Sequence, residues 1–202
     1  PNASHYVSTL SLSGSTLFAG GSFQSVGGLT RYNLAALNKA TGQATGWNPN
    51  GEWWAESRRI ACLCTDQSSI YVGGDFETIG DKPRNFIAQL DLETGQPTDW
   101  AAQCDGIVKS LCLDGSKIIA GGSFSHAGEQ NTPVLAAFDC SSGLPADWNP
   151  KFGNPYSHST VNVLLRDGST LYTGGLYATA YPGWAYREGM AAVDSASAVL
   201  LP

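Results

Sequence analysis

GSTLFAGGSF (residues 14–23) returns three times along the chain, as SSIYVGGDF (68–76), GSKIIAGGSF (115–124) and GSTLYTGGLY (168–177). In each, a polar turn feeds an apolar run into a Gly-Gly pair, and the segment ends on an aromatic, Phe23, Phe76, Phe124 or Tyr177. The pairs begin at Gly20, Gly73, Gly121 and Gly174, which sets spacings of 53, 48 and 53 residues. A period near 50 residues is the mark of an array, a solenoid or a propeller.

The surrounding residues keep the same register. Upstream, Val7, Ile60, Val108 and Val161 open an apolar run. Downstream, after a variable loop, come Leu34–Leu37, Ile87–Leu90, Leu135–Phe138 and Met190–Val193, each followed by a turn that starts on Asn38, Asp91, Asp139 or Asp194. Three repeats then close on Trp47, Trp100 and Trp148. Short apolar and β-branched runs bounded by Gly, Asp, Asn and Ser are strand signals, and no stretch shows the 3.6-residue period of a helix. The expected fold is therefore all-β: a β-propeller of four repeats, each a four-stranded antiparallel blade. The repeats span approximately 5–55, 56–104, 105–156 and 157–202 of a single 1–202 domain. Four such repeats either close on themselves or form part of a larger ring, and the chain reads as an excerpt of a longer polypeptide. The Gly-Gly pair is expected to let the second strand bend or a neighbouring backbone come close. It lacks the following helix that a phosphate-binding loop requires.

The stretches 14–49 and 68–100 resemble the delta-60 repeat, a β-propeller repeat of secreted and surface proteins, and more distantly kelch-like blades. Arg31 and Arg84 stand at that repeat's arginine position, with Arg187 displaced by a two-residue insertion; Thr132 departs from the pattern. The resemblance implies a scaffold in an extracellular or surface location. Recurrence of the arginine favours a structural bond to carbonyls or to an acidic residue.

Composition narrows the function classes. Only 14% of residues are charged and the net charge is −6, which disfavours nucleic acid, whose binding needs clustered Lys and Arg. The apolar runs fall well short of the roughly 20 residues that span a bilayer as a helix, so no membrane insertion is expected. Five cysteines are present, and none has the spacing of a zinc site. In a meander of this kind Cys104 and Cys140 fall on opposite rims, so a disulfide between Cys62 and Cys104 is the easier pairing. Asn2-Ala3-Ser4 is a candidate glycosylation acceptor. No cofactor or metal is expected.

The repeats differ mainly in the loops of one rim, a common place for a binding site on a rigid scaffold. Those loops hold Trp53, Trp54, Phe152, Tyr156, Tyr181, Trp184 and Tyr186, candidates for stacking on sugar rings or anchoring a protein partner. His5, His126 and His158 lack the orienting third group of a hydrolytic triad. Glu52, Glu56, Asp75 and Glu77 could supply a glycoside-cleaving pair only at about 5–9.5 Å separation. The expectation is a non-catalytic structural or interaction module, a component of an extracellular filament, appendage or wall assembly, whose partners are other protein chains or copies of itself. A carbohydrate-binding module is the alternative, and a glycan-active enzyme the second.

Overall fold

The structure is a computed structural model and describes residues 2–49, 59–152, 159–178 and 188–201. Every regular element among them is a β-strand, and the chain divides into two compact units, Pro1–Asp99 and Trp100–Pro202.

The first unit holds two blades. Strands β1 (Tyr6–Ser13), β2 (Thr16–Ser22), β3 (Ser25–Val26), β4 (Leu29–Thr30) and β5 (Leu34–Asn38) make the first. Strands β6 (Arg59–Thr65), β7 (Ser69–Asp75), β8 (Thr78–Ile79), β9 (Lys82–Pro83) and β10 (Ile87–Asp91) make the second. In each, the Gly-Gly strand is central, giving the antiparallel orders β1-β2-β5 and β6-β7-β10. The second unit repeats the plan. Its third blade is β11 (Ile107–Asp114), β12 (Lys117–Ser123), β13 (His126–Ala127), β14 (Gln130–Asn131) and β15 (Leu135–Asp139). Its fourth is β16 (Thr160–Asp167), β17 (Thr170–Ala178) and β18 (Glu188–Asp194).

The glycine pairs explain themselves in the register. Each first strand carries a bulge at the same place, between Val7 and Thr9, Ile60 and Cys62, Val108 and Ser110, and Val161 and Val163. The bulge lies opposite the Gly-Gly pair and presses a carbonyl onto its second glycine. A Cβ there would sit 2.2 Å from the Tyr6 oxygen at Gly21, and 2.1 Å from the Arg59, Ile107 and Thr160 oxygens at Gly74, Gly122 and Gly175. The first glycine meets the next blade: a Cβ on Gly20 would lie 2.6 Å from Ile60 Cγ2, and one on Gly121 2.6 Å from Val161 Cγ1. Both the bend and the close approach expected of the pair are present.

Two features differ from the sequence expectation. The fourth strand of each blade shrinks to one bridge, Leu37 with Ala44, Leu90 with Pro97, Phe138 with Pro145 and Val193 with Leu200. Pro97 and Pro145 have no N–H to extend a ladder, and in the first blade the chain goes on to pack Trp47 edge-on against Phe18. The variable loops of the first three blades also contain two-stranded ribbons, β3-β4, β8-β9 and β13-β14. In the first two the ribbon turns are Gly27-Gly28 and Gly80-Asp81, all with positive φ, as the tight hairpin turn demands.

Each unit has a core cluster between its two blades, and the first unit has a second cluster, Ala19, Phe23, Val26, Ala35 and Leu37, within its first blade. In the first unit Phe18, Leu34, Ala36 and Trp47 of the first blade meet Ile60, Ile70, Val72, Phe76 and Leu90 of the second. In the second unit Ile119, Leu135, Ala137 and Trp148 meet Val161, Leu164, Leu171, Tyr177 and Val193.

Candidate interaction surface

The recurring polar residues hold the scaffold together. Asn38, Asp91, Asp139 and Asp194 begin the same turn, and in each the side-chain oxygen Oδ1 accepts a backbone N–H three residues on, from Thr41, Thr94, Ser142 and Ser197. Hydroxyl hydrogen bonds, from Thr94, Ser141 and Ser197 respectively, are the main reason the three carboxyls stay below the usual range, with Asp139 held at about 2. Arg31 donates from Nη2 to the Thr45 carbonyl at 2.7 Å and from Nη1 to the Thr30 carbonyl at 2.8 Å. Arg84 does the same to Thr98 and Pro83. The arginines thus tie the ribbon to the segment that leads to the tryptophan. Thr132 keeps the backbone bond of that position, from its N–H to the Ser125 carbonyl, without the guanidinium. Arg187 lies outside the described residues.

Among the described residues, Asp105 and His126 form the one arrangement with a catalytic look, His126 Nδ1 lying 2.8 Å from Asp105 Oδ2. Burial works against the charged carboxyl, but hydrogen bonds from His126 and from the Ser125 N–H hold it below its ordinary range. Its Oδ1 accepts the backbone N–H groups of Ser125 and His126 at 2.7 and 2.9 Å. Ser4 Oγ accepts the N–H groups of Gln24 and Ser25 in the same way, at 2.9 and 3.0 Å. Asp105 thus caps its loop as Ser4 caps the corresponding loop of the first repeat. Asp75 ends β7 half-buried and Glu77 is exposed beyond it; Glu52, Glu56 and His158 lie outside the described residues. Among the described residues no group of three or more His, Cys, Asp or Glu is arranged to hold a metal.

Of the aromatic rim candidates, Trp53, Trp54, Tyr156, Tyr181, Trp184 and Tyr186 lie outside the described residues. Phe152 is a correction: it is buried, with its ring stacked on Tyr177 at a centroid distance of 5.0 Å. It belongs to the core of the second unit and presents nothing to a partner. The signal for this was its offset of four residues from Trp148, the offset that Cys104 has from Trp100; Cys104 is buried too. Of the candidate disulfide pair, Cys62 lies in the first unit and Cys104 in the second. Cys62 and Cys104 are both buried, and burial pushes each thiol well above the ordinary range. Cys62 is built into the β6-β7 ladder opposite Gly73, and Cys104 bridges to Ala127 of its own unit. Asn2 is exposed.

What the sequence reading did not single out are two apolar sheet faces. On the first blade Val7, Leu10 and Leu12 of β1 are exposed. On the fourth, Val163, Leu165, Tyr172, Leu176 and Met190 are exposed. Scattered exposed apolar side chains are ordinary, whereas a contiguous set on one sheet face marks an interaction site.

Comparison with known proteins agrees on architecture. A family model described as a β-propeller domain of unknown function matches residues 69–95. Nothing among curated proteins matches the chain. The computationally designed protein Ika4 is 14% identical with a TM-score of 0.53, over 90% of this chain and 94% of that one. The designed protein Ika8 is 12% identical with a TM-score of 0.54, over 97% of this chain and 60% of that one. BamB from Moraxella catarrhalis is 17% identical with a TM-score of 0.57, over 98% of this chain and 51% of that one. At such identities the likeness is one of fold, and the fold is a β-propeller.

Proposed function

We propose that the chain is a non-catalytic structural and interaction module of an extracellular or cell-surface protein, a rigid repeat scaffold that packs against other protein chains in an assembly such as a filament, appendage or wall layer. The observation that carries this reading is the exposed apolar face on the first and fourth blades. At about 25 cal/mol per Å² of apolar surface removed from water, such faces favour a cover. The location is supported by the resemblance to the delta-60 repeat and by the exposed Asn2 of the Asn2-Ala3-Ser4 acceptor.

The test is photo-cross-linking from a benzophenone amino acid placed at Leu12 or Leu165 of the full-length protein in intact cells, combined with a membrane-impermeant label. The expected result is a cross-linked protein chain at one or both positions and labelling without lysis. Labelling only after lysis would refute the location, and the absence of cross-linked chains from both positions would refute the interaction role.

A further inference from the structure

In the first two blades cations tie the ribbon to the segment that leads to the tryptophan. Arg31 reaches the Thr30 and Thr45 carbonyls, and Arg84 those of Pro83 and Thr98. The second blade adds Lys82, whose Nζ donates to the Pro97 carbonyl at 3.0 Å and to Asp99 Oδ1 at 3.2 Å. Its ribbon thus lays an ammonium and a guanidinium along the three residues before Trp100. The first blade has Leu29 at the lysine position and Gly46 at the Asp99 position, so cation and carboxylate are missing together.

The third blade breaks that balance. Ala127 pairs with Gln130 as Ile79 pairs with Lys82, which sets Gln130 at the lysine position and Thr132 at the arginine position. Neither is a cation, yet the acceptors remain: Pro145, Ala146 and Asp147 precede Trp148 as Pro97, Thr98 and Asp99 precede Trp100. The backbone is held alike, Thr132 donating its N–H to the Ser125 carbonyl as Arg31 does to Gln24 and Arg84 to Glu77. Thr132 is 3% exposed, and its Oγ1 is buried with no hydrogen bond. Buried polar atoms are as a rule hydrogen-bonded, and one that is not points to a partner from outside the chain. Asp147 is exposed, and among the described residues no ion pair reaches it. The chain itself answers these acceptors only in part. Asn149 Nδ2 donates to the Asn131 carbonyl at 3.2 Å, and the Trp148 N–H to the Ala146 carbonyl at 2.8 Å. Each carbonyl keeps a second lone pair, and neither donor carries a charge to set against Asp147.

We propose that Asn131, Thr132, Ala146 and Asp147 form a binding site for the guanidinium group of another molecule. The Asn131 and Ala146 carbonyls take its fork as the Thr30 and Thr45 carbonyls take that of Arg31, Thr132 Oγ1 accepts a further N–H, and Asp147 supplies the opposite charge. A planar group with five N–H donors suits acceptors spread over two segments, which a compact ammonium does not. Asn149, held by one long hydrogen bond, is the side chain that yields. The ligand is either the arginine of a partner chain or a free guanidine compound. The site shares no residue with the two apolar faces, so its loss would leave the interaction-module reading standing.

The test is a nuclear magnetic resonance titration of the isotope-labelled protein with methylguanidinium chloride. The backbone amides of Thr132, Trp148 and Asn149 are expected to shift and to saturate in the millimolar range, and sodium chloride at equal ionic strength should not reproduce this. Thr132→Arg supplies the group from within the chain and is expected to abolish the saturable shifts. Asp147→Asn, at an exposed position, keeps the shape without the charge and should weaken binding about 3-fold. Arg84→Ala frees carbonyls that hold a guanidinium in the native chain, and new saturable shifts at Thr98 are its expected result. Repeating the titration with the amide of the peptide Gly-Arg-Gly separates the two sources. Binding as tight as that of methylguanidinium assigns the arginine of a partner chain, and binding about 10-fold weaker or less assigns a free guanidine compound. Wild-type shifts at Thr132 that never saturate, that sodium chloride reproduces, or that survive both Thr132→Arg and Asp147→Asn unchanged overturn the inference. Saturation at Thr98 in Arg84→Ala beside none at Thr132 would do so most sharply, since Asn149 would then close the site.

Discussion

Ala198 stands where Gly42, Gly95 and Gly143 stand in the other repeats, at the end of the Asx turn. Its φ is 62°, against 71°, 77° and 77° for the three glycines. Left-handed backbone costs an L-residue roughly 1–2 kcal/mol. The methyl group gives back less, because Ala198 is only partly buried at the edge of the second unit's core and a fully buried methylene contributes about 0.8 kcal/mol. Ala198→Gly is therefore expected to stabilise the protein by about 0.5–1 kcal/mol, raising the melting temperature by roughly 1–3 °C. Differential scanning calorimetry of the two proteins checks this; a melting temperature that falls would mean that the methyl packing outweighs the backbone strain.

At the scale of the element, the Asx turns make stability depend on acidity. The folded Asp139 carboxyl is held at about 2 by the hydroxyl of Ser141 first, then by the N–H and hydroxyl of Ser142, while an unfolded Asp titrates near 3.9. Between those values the unfolded chain binds more protons, so stability is present above about pH 4 and is lost as the pH falls toward 2. Asn38 makes the same turn in the first blade, with Oδ1 accepting the N–H groups of Ala40 and Thr41 at 2.9 and 3.0 Å, and it has no proton to gain. Asp139→Asn is expected to keep the turn and flatten the acid limb of urea stability measured from pH 2 to 5, and Asn38→Asp to steepen it. Identical limbs in all three proteins would sever the turn from the acid response. The same elements show what could be read without coordinates. The Gly-Gly strands, their turns and their partners were legible because one backbone constraint, a carbonyl pressed onto Gly21, Gly74, Gly122 and Gly175, recurs at every repeat. The fourth strand was overread because Pro97 and Pro145 interrupt a ladder that apolar patterning alone suggests. The ribbons were missed because two-residue arms such as Ser25–Val26 and Leu29–Thr30 are too short to show alternation. Phe152 was misplaced because a ring in a loop looks the same in sequence whether it stacks on Tyr177 or faces water. The apolar faces were invisible as faces: Val163, Leu165 and Met190 read as ordinary strand residues until the register aligned them on one exposed face.

For the whole molecule, the driving force of assembly decides how it responds to conditions. The two exposed apolar faces hold Val7, Leu10 and Leu12 on the first blade and Val163, Leu165, Tyr172 and Met190 on the fourth, and none of these side chains is charged. Hydrophobic burial near room temperature is entropic and weakens on cooling, and sulfate strengthens it by exclusion from the surface. Screening acts on charges, and about 0.1 M salt already shortens their reach to roughly 10 Å. The oligomer fraction is therefore expected to fall between about 25 and 4 °C and rise with sodium sulfate. Between roughly 0.05 and 0.3 M sodium chloride it should change little, although each copy carries a net charge of −6. That residual repulsion works against association at the lowest salt, so any chloride effect should be a small gain in assembly, never a loss. Sedimentation velocity along these three axes reads the balance directly. Oligomers that dissolve in chloride and persist in the cold would be held by ion pairs, and the contact would then lie on some surface other than these two faces.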